Sequence, residues 1–356
     1  MSRPTLVTPA LLISAALAFA ACGSSDSSSK SGSKDTGIAA AEGTQPVAGR
    51  PMPVDNPDKQ PVRIAIISAP PQIAEFFKAV TAGALRADDV LTAHGGSVDY
   101  VNVTDFTVGG INSAVRTAIS QGYDAIAVSM LSSGNCAPLK EATAKGIKVA
   151  SLAGNAECAE SSGALFFHGE DSLKAWAGVG KTMVDATGGQ ECKVGIITGS
   201  FSVEAHEQRR NGFIDGLEGS NVSPVSKGVE GGVDPAKTQA ATRDYVSANP
   251  DLCGIAVLVN DNGAAAAALT PEQAKKIKVI SADLTTGIEK QIGNGKQYAS
   301  FTQDPFGESY DTAIWLYNAV ITGKGPEGGF FQPVEGVLVT KDNLEAAVEA
   351  QSNGER

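Results

Sequence analysis

From Val62 onward the chain alternates short apolar runs with amphipathic stretches, and this alternation limits the fold more than any other feature. VRIAIIS (62–68) is rich in β-branched residues and reads as a buried strand. At 72–94, Ile73, Phe76, Phe77, Val80, Ala84 and Leu91 fall near helical spacing. VDYVNV (98–103), a helix around 111–121, AIAVSM (125–130), a helix around 137–145 and KVASLA (148–153) continue the series. Strands that are apolar along their whole length, separated by helices, predict a parallel sheet covered on both faces.

The series then begins again. ALFFHG (164–169) and a helix at 172–186 lead to KVGIITG (193–199), a helix at 203–219 and VSPVSKGV (222–229). A helix at 235–248, GIAVLVN (254–260), a helix at 263–269 and KVISAD (278–283) follow. QYASFTQ (297–303), a helix at 305–322 and GVLVT (336–340) close the pattern. The fold class is therefore α/β, with two doubly wound parallel-sheet domains in tandem. In open parallel sheets a ligand binds beyond the carboxyl ends of the strands. Two such domains facing each other place it in the cleft between them, and closure about a hinge buries it.

The N-terminus points outside the cytoplasm. Arg3 precedes ALLISAALAFAA (10–21), a run too short to span a bilayer but suited to a signal peptide, expected over 1–21. Leu17-Ala18-Phe19-Ala20-Ala21-Cys22 resembles a bacterial lipobox, with Phe19 where the usual pattern prefers Leu. Cys22 is thus the expected lipidation site and the protein is expected to be extracytoplasmic, anchored to the cell membrane. The following GSSDSSSKSGSKDTG lacks apolar periodicity, so 22–60 is read as a flexible tether.

Twenty-eight Lys and Arg against 39 Asp and Glu give a formal net charge of −11, with no basic run, which argues against a nucleic-acid partner. Cys22 aside, Cys136, Cys158, Cys192 and Cys253 remain. An even number in an exported chain favours disulfides, and the absence of a CxxC pair argues against zinc. Gly178-Val179-Gly180-Lys181-Thr182 looks like the end of a P-loop, but Ala175 stands where the first glycine should be and the segment lies within a predicted helix. His94, His168 and His206 have no metal-ligand spacing and read as surface or helix-end residues. No nucleophile and base can be paired from the sequence, so no catalytic residue, metal or cofactor is expected.

From Val62 to about Thr340 the chain resembles the type I periplasmic binding proteins of ABC importers, the ribose, galactose and xylose group above all. The resemblance rests on Phe76-Phe77 opening the first helix, Arg209-Arg210-Asn211-Gly212-Phe213, Leu258-Val259-Asn260-Asp261, Ile280-Ser281-Ala282-Asp283, and Ser300-Phe301-Thr302-Gln303-Asp304-Pro305. It implies domains built from 61–167 plus 304–326 and from 168–303 plus 327–356. Phe76 and Phe77 would pack on the apolar faces of a sugar ring. Arg209 would donate to its oxygens, Asn260 would donate and accept, Asp283 would accept, and Gln303 would sit at a crossing between domains. Asp261 is a further candidate. Where ribose-type members carry an Asp-Arg clamp, this chain has Leu152-Ala153-Gly154-Asn155, leaving Asn155 as the polar substitute.

The flavodoxin-like strand order makes Cys136 and Cys158 follow neighbouring strands of one sheet, and makes Cys192 and Cys253 precede neighbouring strands of the other. Adjacent strands lie about 4.8 Å apart, within reach of a disulfide, so both bridges are expected. The implied function is a monomeric solute-binding lipoprotein that hands a sugar or polyol to importer membrane subunits. The alternatives are a receptor presenting a nucleoside or other small molecule to a membrane sensor and, as a lesser reading, an extracytoplasmic enzyme.

Overall fold

The computed structural model describes residues 45–352, so the expected signal peptide, Cys22 and the first part of the expected tether lie outside the described residues. The first half runs β1 (Val62–Ser68), α1 (Glu75–Thr92), β2 (Gly96–Asn102), α2 (Val108–Ser120), β3 (Ala125–Val128), α3 (Cys136–Ala144), β4 (Lys148–Leu152) and β5 (Phe167–Glu170). The second runs α4 (Ser172–Ala186), β6 (Cys192–Thr198), α5 (Glu204–Leu217), β7 (Val222–Pro224), β8 (Val229–Glu230), α6 (Pro235–Ala248), β9 (Leu252–Val257), α7 (Ala264–Ala268), α8 (Pro271–Lys276), β10 (Lys278–Ala282), α9 (Thr286–Gly293) and β11 (Ala299–Thr302). Then come α10 (Pro305–Thr322), β12 (Phe331–Val334), β13 (Val337–Thr340) and α11 (Leu344–Ser352).

Two sheets form, in the orders β12-β5-β4-β3-β1-β2 and β13-β11-β10-β9-β6-β7, with β8 added beside β6. Every pairing is parallel except β11 with β13. Alternation along β1 explains the layers. Ile64 and Ile66 enter a core with Leu91 of α1 and Tyr310, Ile314 and Tyr317 of α10, while Ala65 and Ile67 enter one with Ile111 and Val115 of α2 and Leu139 of α3. The second sheet repeats the scheme. Val194 and Ile196 meet Trp176 and Phe213, and Ile197 meets Tyr245 on the other face.

Several expectations need correction. The strand expected at 222–229 is two short ones, and β12, α8, α9 and α11 had no counterpart in the sequence reading. Because β5 continues to Glu170 and β12 joins the first sheet, the segments expected as 168–303 and 327–356 begin too early. The chain leaves the first sheet after Glu170 and again after Val334. The tether expected over 22–60 is wrong for its described part. Here Pro51 and Pro53 disfavour a helix, and the segment is irregular, with turns at 48–49 and 57–58, and packs along α10. Val47 N–H donates to Tyr310 Oη (3.0 Å), Val54 N–H to Asn318 Oδ1 (2.8 Å), and Arg50 pairs with Asp304 (2.7 Å) and Asp311 (3.2 Å).

Both expected disulfides are present, Cys136–Cys158 with Cα atoms 6.2 Å apart and Cys192–Cys253 at 5.9 Å. The P-loop look-alike lies inside α4, where glycine serves packing. A Cβ at Gly180 would run into the Phe213 carbonyl and stand 2.8 Å from Gly216 Cα on α5.

Candidate ligand-binding cleft

The carboxyl ends of the two sheets face each other across a cavity of about 120 Å³. From the first domain it is lined by Ala74, Phe76 and Phe77 where α1 begins, Phe106 after β2, Ser129, Met130 and Leu131 after β3, and Ala153 and Gly154 after β4. The second contributes Val203, Ala205, His206 and Arg209 on and before α5, Val233 before α6, Val259 and Asn260 after β9, and Asp283 after β10. Gln303 lies at the crossing after β11. The Phe76 and Phe77 rings meet edge to face at 5.1 Å, and Phe77 meets Phe106 in the same way at 5.5 Å.

Arg209 is held from behind. Its Nε and Nη2 donate to Glu170 Oε1 (2.9 Å) and Oε2 (3.2 Å), and Nη1 donates to the Leu258 carbonyl (2.9 Å). With the Gln303 amide turned to suit its neighbours, its oxygen accepts from Arg209 Nη2 at 2.9 Å and its nitrogen donates to Glu308 Oε1 at 2.9 Å. Burial pushes the Glu308 carboxyl well above its ordinary pKa, and Asp304, Glu170 and Asp283 push it the same way. Burial also raises Asp283, to about 6, against the pull of Arg209. The guanidinium thus sits on a fixed carboxylate and keeps one Nη1 hydrogen uncommitted.

His206 is a neutral donor. Burial, followed by the Arg209 charge, pushes it down to about 4. Its Nδ1 accepts the Ser200 amide at 3.0 Å, which leaves the proton on Nε2. Asn260 Oδ1 accepts from the Asn262 amide at 2.9 Å, and its buried Nδ2 has no partner among the described residues. Asp283 (φ 65°) and Ala153 (φ 58°) both adopt the left-handed backbone that ordinary residues avoid, one on each side of the cavity.

Two carboxylates reach across the cleft mouth in opposite directions. Glu204, at the start of α5, accepts from the Ser133 amide (2.7 Å) and hydroxyl (2.6 Å) and from the Glu157 amide (3.2 Å) of the first domain. Glu75, at the start of α1, accepts from the Thr286 amide at the start of α9 (3.1 Å). The domains are closed on each other.

Of the sequence-derived candidates, Phe76, Phe77, Arg209, Asn260, Asp283 and Gln303 come together around the cavity. Asp261 does not join them. Its carboxylate accepts from Gly263 and Ala265 amides (3.0 and 2.8 Å), capping α7. Asn155 also falls outside the lining, where its Oδ1 accepts from Ser151 Oγ at 2.9 Å. Ala153 and Gly154 occupy the lining instead, and Met130 O lies 2.5 Å from where a Cβ at 154 would stand. Phe106, His206 and Val233, with Glu170 and Glu308 behind, were missed. Extending the rule of strand carboxyl ends to β2 and β5 would have found Phe106 and Glu170.

The sequence matches the family described as Periplasmic binding protein domain over residues 64–325. A search of curated proteins returns no match. Similar solved structures include an ABC transporter solute binding protein from Burkholderia graminis C4D1M in complex with D-arabinose, at 24% identity and TM-score 0.71, covering 81% of this chain and 98% of that one. Another is a galactofuranose binding protein at 20% identity and TM-score 0.73, covering 83% and 100%. A third is a carbohydrate transporter from Acidothermus cellulolyticus 11B in complex with myo-inositol, at 21% and 0.71, covering 83% and 100%. At these identities the likeness establishes the fold, two facing parallel-sheet domains, and the family follows from the match across most of the sequence: the chain belongs to the periplasmic binding proteins.

Proposed function

We propose that this protein captures a sugar or polyol outside the cytoplasmic membrane and delivers it to the membrane subunits of an ABC importer, held at the membrane by lipid on Cys22. The observation that carries the reading is the interdomain cavity itself. It sets a trio of phenylalanines against Asn260, His206, Arg209 and Asp283, whose donors and acceptor are not all used within the protein. Aromatic faces stack on the C–H face of a sugar ring, and hydroxyls at its edge take up such polar groups. The D-arabinose and myo-inositol complexes among the similar structures support the same ligand class.

Mass spectrometry of the natively purified protein, followed by thermal-shift screening of sugars and polyols, tests the reading. A true ligand at a hundred times its Kd stabilises by about 2.7 kcal/mol. No shift with any sugar or polyol, or turnover of the bound molecule, would overturn it. Cys22→Ser should move the protein from the membrane to the soluble fraction.

A further inference from the structure

The two walls of the cavity differ in what they can offer a ligand. On the first domain's side the loop amides are committed. Ser129 N–H donates to Ile67 O (3.0 Å), Met130 N–H to Gly154 O (3.2 Å), Ala153 N–H to His168 O (3.1 Å) and Gly154 N–H to Leu152 O. Leu131 N–H donates to Asn135 Oδ1 (3.0 Å). Ser129 is the one polar side chain in that part of the lining, and its Oγ lies 2.8 Å from Ser68 Oγ in a shared hydrogen bond. The phenylalanines complete the wall. On the opposite side, among the described residues Asn260 Nδ2 has no partner and Arg209 Nη1 has a hydrogen to spare, His206 Nε2 carries its proton and Asp283 presents a carboxylate.

A buried hydroxyl that finds no partner forfeits its hydration without return. A ring with hydroxyls on every side would set some of them against the phenylalanines and the Met130, Leu131 and Ala153 side chains, where the shared Ser129 hydroxyl is the one polar side chain to meet them. Building on sugar capture as proposed above, we infer that the site selects a ring with one polar edge and one apolar edge, a deoxy or O-methylated sugar over the corresponding fully hydroxylated hexose.

Calorimetry with matched pairs tests this: L-fucose against L-galactose, L-rhamnose against L-mannose, and O-methyl sugars against their parents. In at least one pair the less hydroxylated member should bind about 5- to 150-fold tighter, the cost of one stranded hydroxyl. Parents that bind as tightly or more tightly in every pair overturn the inference and leave sugar capture standing. No binding by either member of any pair overturns the inference, and sugar capture then falls only if the wider screen of sugars and polyols also gives no shift. The Ala153→Asp variant supplies a second readout. Asp tolerates the left-handed backbone at this position and would place a carboxylate on the apolar wall. The variant should tighten the parent sugar and narrow the gap at least threefold. An unchanged gap in a variant that melts like wild type overturns the inference.

Discussion

The same scaffold is used twice around the cavity, with opposite chemistry. After β3 of the first domain Ser129 N–H donates to Ile67 O, and after β9 of the second Leu258 N–H donates to Ile197 O. Two residues further on, the first domain has Leu131 and the second Asn260. After β4, Ala153 N–H donates to His168 O. After β10, Asp283 N–H donates to Phe301 O, and both residues take the left-handed backbone. Near the start of the helix that follows each domain's first strand, Phe77 in one domain answers His206 in the other. Backbone geometry is common to the two walls, so the difference in what they recognise resides in a few side chains at matched places.

The largest effect that breaks this comparison is on folding. Arg209→Ala would leave Glu170, whose side chain is 3% exposed, without its charge partner. Removing one member of a buried ion pair costs about 3–5 kcal/mol, which chemical denaturation would register. A side chain facing an open, solvent-filled cleft would instead leave the fold indifferent to its loss. An unchanged unfolding midpoint would restore that picture.

Next, Asn260→Leu makes the second wall copy the first. Binding of the identified ligand should weaken by about 1–3 kcal/mol, while Leu131→Ala, at the matched place, should cost less than half as much. Equal losses in calorimetry would erase the distinction between the walls.

Asp283 adds a pH dependence. Its raised folded value, about 6 against 3.8, means that the folded protein holds this proton more tightly than the unfolded chain does. Its contribution to the ligand-free fold therefore grows as pH falls from about 6 to 3.8 and is lost as pH rises. Ligand affinity should move the other way, falling by up to about tenfold per unit below 6 as the accepting carboxylate is protonated. Asp283→Asn should flatten this part of both profiles.

The smallest effect expected is at the cleft mouth. Glu204→Ala removes three hydrogen bonds that hold the domains together without removing a residue from the cavity lining. These partly exposed contacts should contribute about 0.5–1.5 kcal/mol, seen in stopped-flow as faster ligand release with association little changed.

Much of the architecture was legible because it follows from periodicity. Fully apolar strands between amphipathic helices specify parallel sheets, and the carboxyl-end rule then places Asn260 and Asp283. Both disulfides followed from strand adjacency. Other features needed three-dimensional information. Nothing local distinguishes Asp261, which caps α7, from Asn260, which lines the cavity one residue earlier. Arg50 lies in a stretch that reads as tether because its partners, Asp304 and Asp311, are more than 250 residues away. Glu170 lies one residue past the strand read at 164–169, and nothing marks it until Arg209 is folded against it. β12 is short, carries Pro333 and joins the sheet edge, so its sequence has little strand signal.

A crystal structure of the complex with the ligand identified by mass spectrometry tests the central claim most directly. The account predicts a ring between the domains, its hydroxyls on Asn260, His206, Arg209 and Asp283 and its apolar edge against Phe76, Phe77 and Phe106. Hydroxyls bonded chiefly to residues 129–131 and 153–154, or a ligand outside the cleft, would contradict it.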